Sequence, residues 1–207
     1  YNDMACVGAY LGVATNKEAS ECFAQAIDDF NLTDTATSRF LSAYLSNHLP
    51  LSNLASNDIT ALHNKGYVFT RTFANYDGVY FNQSHVCAPA TDDYNASELR
   101  DVMNRAVRLT RPVLIPYVNS TQFKVETTGR IQRAIAASIE AEIEQALTAM
   151  ADDVSEVNYI IVDPAKNESG ADYPSFLSDS TLRVLIGLLP KGKANTITVQ
   201  IGYTTGN

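Results

Sequence analysis

Cysteine is scarce in this sequence: Cys6, Cys22 and Cys87 are the whole complement, odd in number and widely spaced. A disulfide framework needs an even, dense set in a shorter secreted chain, so these three read as reduced, mostly buried, small apolar fillers. Histidine is equally rare, at three residues. His48 and His63 sit in unrelated segments, and only His85 stands near a thiol, two positions before Cys87, with Asp92 and Asp93 beyond. No Cys-x-x-Cys pair and no His-Glu-x-x-His accompany them, so the pattern lacks what a metal site requires. A strand end running into a loop, followed by acids near a helix start where the macrodipole favours them, accounts for the same residues. No cofactor is implied.

Basic residues are also few, 15 against 23 acidic ones, for a formal net charge of −8, and no tract gathers them. A chain of that balance repels a polyanion, which excludes nucleic acid as the expected partner. No apolar run approaches the ~20 residues that span a bilayer, so direct membrane insertion is not expected. The start "YNDMACVGAY" lacks the basic-then-apolar layout of a signal peptide, and the sequence reads as soluble without its own export address. Opening at Tyr1 rather than Met, it is expected to be a piece cut from a longer chain. Reagent motifs are missing as well. There is no Gly-x-Ser-x-Gly elbow and no Walker loop, and His85 with Cys87 has no group to orient the imidazole. The acidic pairs Asp28-Asp29, Asp92-Asp93 and Asp152-Asp153 fall at expected helix ends or loops, where solvated faces explain them.

What is present is enough for a core. The chain has 207 residues, 45% of them hydrophobic. "CVGAYLGVA" over 6–14 places Gly8 and Gly12 in an apolar run, which points to close packing of backbone against a neighbouring element. A helix is expected over 18–30, from Ala19, Cys22, Phe23, Ala26, Ile27 and Phe30 at helical spacing. "SRFLSAYL" suggests a strand near 39–45. A short helix follows in "SNDITALHNKG", capped by Ser56 or Asn57, with Ile59 and Leu62 inward and Gly66 as its stop. "GYVFTRTFANYDGVYFNQSHVC" then carries six aromatic rings over 66–87. It reads as a β-hairpin turning at Asp77-Gly78, with Tyr67, Phe69, Arg71 and Phe73 on one face.

Further on, a helix over about 95–110 buries Leu99, Val102, Met103, Ala106, Val107 and Thr110, and Pro112 and Pro116 close it. A longer helix carries the seam Ile131, Ile135, Ile139, Ile143, Leu147 and Met150, with Thr127 or Thr128 as cap. "VNYIIVDP" is expected as a buried strand. "TLRVLIGLLP" and "NTITVQIGYTT" form a final hairpin around "PKGKA". Without a βαβ rhythm, the class is α+β with a mixed, largely antiparallel sheet packed with helices. No repeat at a period of 20–50 residues is visible.

The rings therefore come without a reagent, and aromatic side chains on strands pack against helices or against another subunit. Three function classes follow. The first is a structural assembly subunit. The second is a small hydrolase or ligand-binding domain whose cleft is walled by Tyr67, Phe69, Tyr80 and Phe81. The third is a carbohydrate-binding module, which requires those rings exposed in one plane.

Residues 59–120 decide between them, because this stretch resembles the core of contractile tail sheath proteins, in particular a sheath-like group of Bacteroides-type prophages and injection systems. The features are Gly66-Tyr67-Phe69-Arg71, Gly78-Val79-Tyr80-Phe81-Asn82, Asp93-Tyr94, Asn104-Arg105, Arg108 and Leu114-Ile115-Pro116. The similarity extends more loosely from "CVGAYLG" to "ITVQIGYTT". A sheath subunit of this type is longer, with an N-terminal portion ahead of this region. The resemblance implies a single core domain over 1–207, the C-terminal part of a longer chain. It also implies a non-enzymatic subunit that polymerises around an inner tube protein and contracts to drive it through a membrane, located in a virion tail, or in the bacterial cytoplasm during assembly. Sheath chain ends act as arms that add strands to a neighbour's sheet, a role that falls here to residues 195–207, with Thr196, Thr198, Gln200 and Tyr203 as contact residues. The β-prone run Thr196–Thr205 could equally close its own hairpin. Arg105 and Arg108, with Arg100, Arg111 and Arg133 on the same two helices, suit contacts between copies, since open assemblies need two different complementary patches.

Overall fold

The computed structural model describes residues 7–33, 53–89, 91–167 and 169–194. Helix α1 (Val7–Thr15) is followed by an irregular stretch ending in a 3-10 turn at Asp28–Phe30. Helix α2 (Ser56–Asn64) then leads into a hairpin of β1 (Thr70–Phe73) and β2 (Tyr76–Phe81). The two long helices come next, α3 (Ser97–Leu114) and α4 (Arg133–Leu147), each running on into one 3-10 turn. Strand β3 (Val154–Val162), the single-turn α5 (Phe176–Asp179) and β4 (Val184–Pro190) complete the described order. Both described sheets, β1-β2 and β3-β4, are antiparallel pairs. The α+β class stands.

Two hydrophobic clusters hold these elements. The larger one joins α3 and α4 to one face of the β3-β4 pair. Ile139, Ile143, Leu147 and Met150 are fully buried there, with Val157, Ile160, Val184, Ile186 and Leu188 against them. The seam expected of α4 is therefore its core face, although Ile131 lies one turn outside the helix, bridged to Val125. Thr127 and Thr128 occupy the turn between those two residues instead of capping, and Gln132 stands at the N-cap position without a side-chain bond. β3 is covered on one face only: Tyr159 and Ile161 remain exposed, where a strand buried on both sides was expected. Opposite Tyr159 stands Gly187, and a Cβ there would meet the Tyr159 ring at 2.3 Å, so the ring lies across the bare backbone. This arrangement shields a strand glycine with a cross-strand aromatic.

Helix α3 extends past Pro112 to Leu114. A proline there deletes one helical hydrogen bond near the C-terminus and ends nothing until Pro116, which sits in the following 3-10 turn. Val107, expected inward, points outward.

The smaller cluster gathers Val13, Phe23, Phe30, Leu32, Val79 and Phe81. Here the helix expected over 18–30 does not form. Cys22 and Phe23 are both buried, directed inward by separate turns at Glu18–Glu21 and Cys22–Gln25 in place of a continuous helix. Tertiary burial overrides helical spacing. The helix lies earlier, at 7–15, and a Cβ on Gly8 or Gly12 would meet nothing within 4 Å among the described residues, so none of these approaches either glycine closely.

In the hairpin the turn is Ala74-Asn75, with Phe73 paired to Tyr76 and Asn75 at φ 59, a left-handed value that Asn tolerates. Asp77-Gly78 lies within β2. Gly78 is needed for another reason: at φ 114, a Cβ would come within 2.8 Å of the Asn31 amide. Asn31 in turn accepts from Val79 N–H at 3.3 Å and from Thr33 N–H at 2.9 Å, while Leu32 N–H donates to Val79 O at 2.8 Å. Gly66, at φ 81, closes α2 as expected, whereas Ala55 holds the N-cap place with no side-chain bond. The strand expected near 39–45 and the second arm of the final hairpin lie outside the described residues. The described partner of β4 is β3.

Candidate functional site

After β4 the chain is held to the core by two lysines. Lys191 Nζ donates to the Asp152 carbonyl. Lys193 Nζ lies 2.5 Å from Glu98 Oε1, 2.8 Å from Gln83 Oε1 and 3.4 Å from Ser84 Oγ. The other Glu98 oxygen accepts from Ser84 Oγ at 2.5 Å, and Cys22 Sγ is 3.5 Å from the same hydroxyl. Glu98 and Ser84 are buried, so this carboxylate depends on charge-assisted donors for what water would otherwise supply. Its place in the first turn of α3 adds the favourable end of the helix dipole. One ionic knot thus ties together the 18–32 segment, the end of the hairpin, the start of α3 and the root of the C-terminal segment. Nothing in the sequence signals it, because Glu98 and Lys193 are 95 residues apart.

Beside the knot opens a groove of about 1900 Å³, bordered by β1 and by residues 190–194, with Phe69, Arg71, Leu99 and Arg105 in its wall. Among the described residues β1 is paired on one side only, to β2. No three His, Cys, Asp or Glu among the described residues are placed to hold a metal ion.

Of the rings expected to wall a cleft, Tyr80 and Phe81 are fully buried. Tyr80 packs against Phe73 and Tyr76, and Phe81 against Tyr10 and Phe23, because β2 is covered on both faces. Tyr67 is exposed and, of these four rings, Phe69 lines the groove, so among the described residues the four neither wall one cleft nor lie exposed in one plane.

Thr196, Thr198, Gln200 and Tyr203 lie outside the described residues. Arg105 pairs with Asp153 at 2.7 Å and donates to Ala149 O, closing a corner of its own chain. Asp153 is buried there, which replaces the solvated face expected of Asp152-Asp153. Arg108 is exposed. Cys22 is buried and free as expected; Cys87 is free but exposed, and Cys6 lies outside the described residues.

His85 faces away from metal chemistry. Its ring stands 5.0 Å from that of His63, whose Nδ1 is 3.2 Å from the Asn82 amide nitrogen, and its Nε2 is buried with no hydrogen-bond partner among the described residues. Burial, then the neighbouring His63 and Lys193, holds its pKa below the ordinary value. The unfolded chain takes up this proton near pH ~6.5 while the folded chain resists it, so acid favours unfolding below that pH. We expect the urea midpoint to drop more between pH 7.5 and 5.5 in the parent than in His85→Gln; equal drops would show that His85 contributes nothing to the slope.

A family model described as DUF2586, C-terminal domain, matches residues 93–207. No curated protein sequence matches the chain. Among solved structures, the fold is similar to a chain of the anti-feeding prophage baseplate, 6-fold symmetrised, at TM-score 0.50 and 14% identity, covering 79% of this chain and 44% of that one. It is similar also to a chain of the anti-feeding prophage helical sheath in its contracted state, at TM-score 0.51 and 13% identity, covering 72% of this chain and 40% of that one. The chain thus spans less than half the length of either.

Proposed function

The chain belongs to the DUF2586 family through its C-terminal domain, and on that premise we propose that it is a non-enzymatic structural subunit of a contractile injection system, specifically of its tail sheath. The observation that carries this reading is the fold shared, over most of this chain, with assembled components of the anti-feeding prophage, one of them a helical sheath. In the proposal, residues 1–207 form one core of a longer subunit, copies polymerise around an inner tube protein in a tail, and the extended array stores free energy released on contraction.

Residues 195–207 act as the exchanged arm. The Lys191 and Lys193 contacts lie at the root of this arm, and the side of β1 that no described residue pairs, along the groove, is the edge that a neighbour's Thr196–Thr205 extends. Main-chain hydrogen bonds along an added strand provide affinity without any reactive group.

Electron microscopy of the full-length protein tests the assignment: tubes or rings support it, and a strictly monomeric chain at high concentration refutes it. Deleting Asn195 to Asn207 is expected to abolish polymerisation while leaving far-UV circular dichroism and the cooperative melt in place. Tubes formed by the truncated protein would eliminate the arm.

A further inference from the structure

The outward side of α3 and the turn after it present an unusual combination. Val107, Arg111 and Ile115 follow one another at four-residue intervals with Arg108 beside them, which sets these four on one side of the helix, and Val118 follows just past the 3-10 turn. The three apolar members are 62%, 57% and 69% exposed. The inner face of the same helix is already used, by Val102, Ala106 and Thr110. Arg100, Arg105 and Arg133 are engaged with Asp101, Asp153 and Glu140. Among the described residues, Arg108 and Arg111 have no carboxylate within ion-pair distance. In a chain of net charge −8, they form a cationic, apolar ridge about 12 Å long from Val107 to Ile115 at 1.5 Å per helical residue.

A surface of opposite character lies on the smaller cluster. Ile27, Asp28, Asp29, Tyr76 and Asp77 are exposed, and Tyr76 Oη donates to Ala26 O at 2.8 Å, joining the 26–29 turn to the start of β2. Asp28 and Asp77 both lie close enough to the Tyr80 phenol to add to the rise that burial and Tyr76 impose on its pKa. The three carboxylates have no cation within ion-pair distance among the described residues. The patch is therefore acidic with an apolar and an aromatic member, where the ridge is basic with three aliphatic ones.

We propose that the α3 ridge of one copy docks on the 27–29 and 76–77 patch of the next copy, a head-to-tail contact of this chain with itself. The inference rests on the assembly reading above and assigns its second interface, independent of the arm. Two different patches on one chain, complementary in sign and both apolar in part, meet the requirement of an open or ring-closing assembly, in which each copy offers one patch to each of its two neighbours. Such a contact is steered by charge and weakened by salt, because its arginines are solvent-accessible before docking.

The test uses the full-length protein, with assembly followed by light scattering and electron microscopy at low and high salt, and folding checked by thermal melting. Arg108→Glu with Arg111→Glu is expected to raise the critical concentration more than about tenfold, as like-charge juxtaposition across an interface does. Asp28→Lys with Asp29→Lys should do the same, and the four substitutions together should restore assembly. An unchanged critical concentration in the first variant overturns the proposal, as does a four-fold variant that stays as defective as either parent pair. If the arginine variant polymerises normally but no longer encloses the inner tube protein, the ridge belongs to that partner and the proposal falls. A parent chain that never assembles removes the sheath reading as well, which separates the two failures.

Discussion

Replacing Asp163 by Ala is expected to lower the unfolding free energy by about 3–5 kcal/mol, the cost of breaking a buried ion pair from one side. Asp163 terminates β3, and one of its oxygens accepts from Arg130 at 3.0 Å while the other accepts the buried Ile131 N–H at 2.8 Å. Arg130 is surrounded by main-chain carbonyls, donating to Pro164 O at 3.0 Å, Pro174 O at 3.4 Å, Ala165 O at 3.5 Å and Tyr173 O at 2.8 Å. One guanidinium and one carboxylate therefore organise the approach to α4, the end of β3 and the 164–174 loop, and removing the carboxylate strands the Ile131 N–H and the cation together. The backbone adds to this, since Asp163 sits at φ 52, which Asp tolerates better than Ala. Asp163→Asn keeps the amide acceptor and the backbone tolerance while losing the charge, so its loss should be smaller than that of Ala. Urea unfolding of the two variants and of Arg130→Ala, combined as a double-mutant cycle, measures the coupling. A cycle that closes to zero would show that the pair does not act as a unit.

How far the sequence discloses such features depends on the range of the forces involved. The α4 seam from Ile135 to Met150 was readable because its periodicity is imposed by one large apolar neighbour, and the strand within 157–164 because its apolar run ends at Asp163-Pro164, although β3 begins earlier, at Val154. The class α+β follows from those elements. The irregular path of 18–27 was not readable, since adjacent Cys22 and Phe23 are buried against distant residues, Cys22 beside Ser84 and Phe23 beside Phe81. Asp77-Gly78 is a strong local turn signal, yet the turn falls at Ala74-Asn75, and Gly78 serves the approach of Asn31 instead. The ionic knot is the extreme case: Glu98, Ser84 and Lys193 look like surface residues one by one, and only the fold brings them within bonding distance. Of the arginines grouped by helix position, Arg105 closes a corner within its own chain and Arg108 stands free on the surface, a distinction set by whether a buried Asp153 lies opposite.

Phe23→Ala should be as severe as the loss of Asp163, about 3–5 kcal/mol for a fully buried aromatic, and different in where it acts. Phe23 stands edge-on to Tyr10 at 5.0 Å and to Phe81 at 5.7 Å, joining α1 and β2 through a segment with no strand or helix of its own at that point. A helix would retain its internal hydrogen bonds after losing one side chain; this stretch has short turns and a few side-chain ties, Lys17 to Asp101, Cys22 to Ser84 and Tyr76 to Ala26 O, beside the burial of its own residues. The deletion should accordingly release residues 7–32 from the hairpin before it disturbs α4, whose core is built from Ile139, Ile143 and Leu147 without any contribution from Phe23. Hydrogen exchange distinguishes the outcomes. Amides at Leu32 and Val79, bonded across this junction, should lose protection by a factor comparable to the whole stability change, while those of α4 lose less. Uniform loss across both clusters would mean that the molecule opens as one cooperative unit, and that the wall of the groove beside β1 is no less stable than the helical core.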